Sequence, residues 1–297
     1  MVRLKDKAQQ FGGDWTLEKL SRLEKYLVAY ATIMKDRPYK FAYIDAFAGT
    51  GYVEVEPEHV NQEQPLLPAF AEPESQRFLA GSARIALNVR PRFSKYIFIE
   101  KSRRRFAELQ KLAAEFPDQQ SDILLRNDDA NSYLRDLCQN RDWTRHRAVL
   151  FLDPFGMAVE WKTIEAVAQT RAIDLWYLFP LGVAVNRLLK KDGRIAAALS
   201  QRLDLIFGSH DWYDAFYQVK TETNLFGESA DTDKIADFDR IGTYFVERLR
   251  GVFRGGVAER PLPLYSSRNI PLYLLCFAAG NPKAPAAVKI ARHILRR

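Results

Sequence analysis

Three apolar runs, each stopped by an acidic residue, constrain this chain more than any other feature. Phe41-Ala42-Tyr43-Ile44 ends in Asp45, Tyr96-Ile97-Phe98-Ile99 in Glu100, and Val149-Leu150-Phe151-Leu152 in Asp153. Short runs rich in β-branched and aromatic residues predict strands covered on both faces. Asp122 to Arg126 and Asp174 to Phe179 read the same way, the latter stopping at Pro180-Leu181-Gly182. Between the runs, apolar residues recur at helical spacing: Phe106, Leu109, Leu112 and Ala113, then Tyr133, Leu134 and Leu137, then Ile164, Val167 and Ala168. Strands alternating with helices imply a parallel sheet wound on both sides. Late in the chain, Val257 to Tyr265 and Leu272 to Ala278 flank the turn Ser266-Ser267-Arg268-Asn269, which predicts an antiparallel pair. The expected class is therefore α/β, a doubly wound, mostly parallel Rossmann-like sheet with a terminal antiparallel strand pair.

The rest of the chain is arranged around that sheet. With 297 residues, 47% of them hydrophobic, there is enough chain for a sizeable core, and one domain over 1–297 is expected. An N-terminal helical segment occupies 1–40: Thr16 would cap a helix to Met34, with Leu17, Leu20, Leu23, Leu27, Tyr30, Ala31 and Met34 as a core stripe and Trp15 as a staple. The stretch Tyr52 to Arg77 is rich in Glu, Pro and Gln and has little periodicity, so it reads either as a lid-like loop or as a disordered segment, with a helix resuming at Gly81. A helical insertion is expected at about 187–235. No run suggests a transmembrane span, the N-terminus lacks the apolar centre of a signal peptide, and Cys138 and Cys276 suggest neither a disulfide framework nor a metal cluster. A cytoplasmic protein is the expectation.

In an open parallel sheet, ligands sit beyond the carboxyl ends of the strands. Asp45, Glu100, Asp129 and Asp153 all fall at such ends, and Asp45 runs into the small-residue loop Ala46-Phe47-Ala48-Gly49-Thr50-Gly51. Hydride cofactors favour a further glycine opening a helix directly after such a loop, whereas Val53, Glu54 and Val55 follow here. No Lys-Ser or Lys-Thr pair closes the loop as a phosphate cradle would require. S-adenosylmethionine (SAM) has no phosphate and needs neither feature, so the three acid-ended strands read as a SAM site. The loop Phe47 to Gly51 would pass under the methionine part, and Asp45 would hold its amino end. Glu100, with Lys101 beside it, would accept the ribose hydroxyls. Asp128 or Asp129 would take the adenine amine, with Ala130 against the ring. Each acid alone could instead be a strand-end turn or a helix cap.

Asp153-Pro154-Phe155-Gly156 resembles the motif of methyltransferases that act on base amino groups, in which an acid and a proline carbonyl orient the amine and a ring stacks on the base. Such motifs usually carry two prolines before the ring; this chain has Pro154 alone. The formal net charge is +7, which favours an acidic partner, nucleic acid first. Arg187, Lys190, Lys191 and Arg194 in the insertion are the candidate phosphate contacts, with solvated helix faces as the plain alternative.

Asp14-Trp15-Thr16-Leu17-Glu18-Lys19-Leu20, the Ile44 to Gly51 loop, Gly81-Ser82, Leu152 to Gly156 and the late Ile270 to Ala278 strand together resemble the three-Cys-motif partner (TcmP) family, over nearly the whole chain. The resemblance implies the fold of class I SAM-dependent methyltransferases and a bacterial gene neighbour, a radical-SAM-like protein carrying the three-cysteine motif. The two distant cysteines of this chain suit the partner and not that protein. Methyl transfer to nucleic acid is thus the leading expectation. Methyl transfer to a small molecule or protein, and a non-catalytic SAM-binding partner, stand beside it.

Overall fold

The computed structural model describes residues 14–49, 73–224 and 227–296. The chain begins with α1 (Asp14–Met34), β1 (Lys40–Asp45), α2 (Pro73–Asn88), β2 (Lys95–Ile99), α3 (Arg103–Ala114) and β3 (Ile123–Arg126). It continues through α4 (Ala130–Asn140), β4 (His146–Leu152), α5 (Trp161–Gln169) and β5 (Ile173–Phe179). Strands β1 to β5 pair in parallel in the order β3-β2-β1-β4-β5. After α6 (Asn186–Leu188), α7 (Ala197–Phe207), α8 (Trp212–Phe216), the hairpin β6 (Tyr217–Asn224) and β7 (Gly227–Lys234), and α9 (Phe238–Val252), the chain returns to the sheet. There β9 (Pro271–Ala278) pairs antiparallel with β5 and with β8 (Leu262–Tyr265), and α10 (Pro285–Leu295) ends the fold. This is the doubly wound, mostly parallel Rossmann-like sheet with its antiparallel terminal pair.

Both faces of the sheet are buried, and β5 explains how. All seven of its residues are buried. Successive strand residues point to opposite faces. Trp176 meets Tyr26 of α1, with ring centroids 5.1 Å apart, whereas Tyr177 and Phe179 meet Phe245 of α9 at 5.4 and 3.9 Å. So α1 covers one face, packed beside α2 and α10, and α9 covers the other, beside α5. At roughly 1.5–3 kcal/mol for each large side chain fully buried, this two-sided packing is the main source of stability.

Three details differ from the expectations above. First, α1 begins at Asp14, so Thr16 lies inside it and is wholly buried, and Leu17 is 63% exposed. The buried face carries Trp15, Thr16, Lys19, Leu23, Tyr26, Leu27 and Tyr30. Second, α2 starts at Pro73 rather than Gly81, proline being tolerated in the first helical turn. The lid reading of Tyr52 to Arg77 otherwise lies outside the described residues up to 72. Third, the insertion carries its helices but continues into the β6–β7 hairpin. Val219, Thr221 and Thr223 favour strand, while the polar residues between them hide it from a search for apolar runs.

After β5 the chain makes one π-helical turn, Leu181–Val185, in which Pro180 O accepts from Ala184 N and Val185 N. A Cβ on Gly182 would stand 1.9 Å from Pro271 O, so only glycine permits this close approach to β9. The turn delivers Arg187 to Arg194 past the carboxyl end of β5. No helix among the described residues is long and apolar enough to cross a membrane.

Candidate active site

Parallel register brings the three acids together. Asp45 pairs with Phe98 on one side and Phe151 on the other, so Glu100 and Asp153 each lie two residues beyond its partners, at the same end of the sheet. The loop after β1 is pinned there: Ala46 N donates to Phe151 O at 3.2 Å and Ala48 N to Ile99 O at 3.0 Å. Gly49 has a φ of 64°, a left-handed conformation that favours glycine. Thr50 and Gly51 lie outside the described residues. Phe47 is half-buried, and its backbone N–H donates to Asp45 Oδ1 at 3.3 Å.

Asp45 is fully buried and receives the Tyr43 hydroxyl on Oδ2 at 3.2 Å. Burial, reinforced by the nearby Asp153 carboxylate, pushes its carboxyl from 3.8 up to about 7, against the hydrogen bonds that favour the ionised form. A buried acid whose charge is so costly is a candidate partner for a cationic group.

Glu100, 3% exposed, is held by three donors. Gly49 N reaches Oε2 at 3.2 Å, and Ser102 N and Arg105 Nη2 reach Oε1 at 2.7 and 2.9 Å. The sharp turn between β2 and α3 creates this arrangement, with Ser102 as the α3 N-cap. Arg105 also lies over the Phe155 ring, its guanidinium carbon 4.9 Å from the centroid. It therefore links the acid of one strand end to the ring of another. Lys101 is exposed, 3.4 Å from Asp129.

Asp129 caps α4, accepting from Asn131 N and Ser132 N on Oδ1 at 3.0 and 3.2 Å. Asp128 is exposed and turns Oδ1 back onto Asp129 N at 2.7 Å; Ala130 is buried behind it. Asp153 and Pro154 are buried, Phe155 and Gly156 half-buried, and Gly156 has a φ of 58°. Arg187, Lys190, Lys191 and Arg194 lie together in the segment after the π-helical turn. Arg187, Lys190, Lys191 and Arg194 are all exposed. Their loop is braced by the hairpin: Tyr217 Oη donates to Lys190 O and Lys234 N to Lys191 O, both at 2.9 Å.

Sequence patterning did not single out Lys19. Its Nζ donates to Asp153 Oδ2 at 2.5 Å, with both side chains buried. Trp15 and Phe151 flank the ammonium, 5.5 and 6.0 Å from their ring centroids. A signal was available: Lys19 stands three residues after Thr16 and four before Leu23, on the face that α1 buries. Asn131 carried no signal of its own. It ties α4 to α5, donating to Ala158 O and accepting from Glu160 N and Thr163 Oγ1, and so fixes the segment that follows Asp153.

No family model matches this chain, and no curated protein matches it. Among solved structures, protein LPL1258 from Legionella pneumophila is similar at 16% identity, covering 81% of this chain and 93% of that one with a TM-score of 0.39. The magnesium protoporphyrin IX methyltransferase of Synechocystis, solved with bound SAM, is similar at 10% identity, covering 80% and 87% with a TM-score of 0.32. At these values the site must be read from this chain's own residues.

Proposed function

We propose that the carboxyl end of the sheet binds SAM and directs its methyl group to a nucleic-acid acceptor, with a base amino group as the leading target. The observation that carries the reading is Glu100: a buried carboxylate at the end of the second strand, oriented by three donors next to a backbone loop that includes a left-handed glycine. A ribose diol needs a two-oxygen acceptor of this kind. Asp45, costly to ionise alone, suits the ammonium of the methionine part. Phe47, Ala48 and Gly49 would lie along that part, and Asp128, whose carboxylate is exposed, is the better placed of its pair for the adenine amine, since Asp129 caps a helix. These residues fit the cofactor.

SAM supplies a methyl group on an already activated sulfonium, so the protein's work is positioning. Lys19 holds Oδ2 of Asp153, which leaves Oδ1 to accept an N–H of the acceptor amine. The Pro154 carbonyl would accept a second N–H and orient the amine, and the proton lost by the nitrogen, as the sulfonium's methyl passes to it and the thioether leaves, would go to Asp153 Oδ1. Phe155 offers a face to a base, and the basic loop Arg187 to Arg194 offers charge to phosphates. The motif set further supports membership of the three-Cys-motif partner family and a radical-SAM-like partner protein.

One observation favours a second reading, a SAM-binding partner without methyl transfer: the Lys19–Asp153 pair would be sufficient reason for an acid at that position. Incubating the protein with methyl-labelled SAM and total cellular RNA and DNA separates the two. Incorporation that Asp153→Ala abolishes, with SAM affinity retained, supports transfer. No incorporation in any fraction, with the candidate partner protein present, supports the binder.

A further inference from the structure

We propose that a cavity at the amino-terminal end of the sheet is a second binding site, for a small aromatic anion. The cavity has a volume of about 500 Å³ and lies between α1, the turn into β1, the starts of β4 and β5, and the first turn of α10. The five parallel strands share one direction, so this site is at the opposite end of the sheet from Asp45, Glu100 and Asp153. Its size falls within the roughly 300–1,000 Å³ of small-molecule sites.

The walls select a flat, apolar body. Tyr26 and Tyr30 come from α1 and Tyr39 from the turn before β1, with the aliphatic side chain of Ile33, which is 42% exposed, beside them. Aromatic walls favour stacked or edge-on rings.

The polar groups select a negative charge. Arg37, Arg147 and Lys283 line the cavity against a single acid, Asp174. Both oxygens of Asp174 already face protein donors, Tyr26 Oη on Oδ2 at 2.8 Å and Gly280 N on Oδ1 at 3.0 Å. Arg147 is not satisfied in the same way. Its guanidinium lies over the Tyr39 ring at 4.1 Å, and Nη1 donates to Trp143 O and His146 O, yet Nε is buried with no acceptor among the described residues. Three cations thus face one acid whose oxygens are already taken, and a carboxylate or sulfonate entering the cavity would meet charge-assisted partners. The first turn of α10 opens on the same space: its N-cap, Ala284, has no side-chain acceptor, and no acidic residue follows in that turn. The positive end of the helix therefore adds to the guanidinium instead of being neutralised by its own sequence.

The probe is 8-anilinonaphthalene-1-sulfonate, an aromatic anion that fluoresces on burial, titrated into the full chain beside its neutral analogue N-phenyl-1-naphthylamine. One site per chain is expected, with the neutral analogue bound about tenfold more weakly. Ala287→Trp, which fills the cavity, should abolish the site. Lys283→Glu, an exposed change checked for an unaltered melting temperature, should weaken it about fivefold or more. Binding that both variants leave unchanged, or equal affinity for the neutral analogue, overturns the proposal. If Ala287→Trp does not fold, Lys283→Glu and the neutral analogue decide.

Discussion

Lys19 and Asp153, 134 residues apart in sequence, form a buried ion pair that ties the first turns of α1 to the end of β4. A helix outside the repeating strand-helix pattern thereby contributes a charged group to the carboxyl end of the sheet. Breaking a buried pair from one side leaves an uncompensated charge, which typically costs about 3–5 kcal/mol. Lys19→Met should therefore lower the unfolding free energy by roughly that amount in urea titrations. The double variant Lys19→Met with Asp153→Leu should recover most of the loss, since an apolar pair replaces an ionic one. Equal loss in the single and double variants would mean that the two residues do not act as a pair.

Asp45 predicts a pH dependence of opposite sign for folding and for binding. Its carboxyl titrates at 3.8 when unfolded and at about 7 when folded, burial being the main cause. Between these values the folded state holds the proton and the unfolded state does not, so the contribution of Asp45 to stability falls as pH rises from 3.8 to about 7 and is flat above. An ammonium ligand needs the ionised form, so S-adenosylhomocysteine affinity should fall as pH drops below about 7. Asp45→Asn should flatten both profiles. A wild-type affinity unchanged between pH 6 and pH 8, a window of about one unit either side of that value, would remove Asp45 from the cofactor site.

If a ribose binds Glu100, Arg105 competes with it. A carboxylate offers about four lone-pair sites, and three donors already occupy Glu100. A diol that uses both oxygens must displace Arg105, because Ser102 N and Gly49 N belong to the backbone. Arg105→Gln should then tighten S-adenosylhomocysteine binding by up to about fivefold, the scale of a partly exposed ion pair. Weaker binding would mean that Arg105 supports the bound cofactor.

Salt dependence tests the basic loop. If Arg187, Lys190, Lys191 and Arg194 meet phosphates, replacing all four with Gln should make the dependence of log affinity on log salt shallower for single-stranded RNA. The slope should change by about 0.7 for each phosphate that the variant no longer neutralises. An unchanged slope, or no binding even at low salt, would direct the acceptor search to small molecules and proteins.

The sheet was legible because its strands are self-announcing. β1, β2 and β4 are apolar runs stopped by an acid, and the acids fall together because parallel register aligns their ends. The helix cap at Asp129 was legible only as an alternative, since the same residue type serves a turn, a cap or a ligand. Lys19 was not legible as a site residue, because its partner is set by tertiary packing and a lysine on a helix reads by default as solvated. The exposed Leu17 has the same cause: the pattern in α1 fits two faces, and the packing of Trp15 on Tyr273, centroids 5.0 Å apart, selects one. The β6–β7 hairpin escaped because neither strand is apolar enough to announce a sheet, and among the described residues β6 pairs only with β7.

The most direct test of the account is a calorimetric titration of S-adenosylhomocysteine into the wild-type protein and Glu100→Ala. Binding at one site per chain is predicted, weakened in the variant by about 1.5–3 kcal/mol, the value of a hydrogen-bonded charged acceptor, when measured at a temperature where the variant is folded, since losing the acceptor of Gly49 N, Ser102 N and Arg105 also lowers its melting temperature. No heat with S-adenosylhomocysteine, or a preference for a nicotinamide dinucleotide, would contradict it.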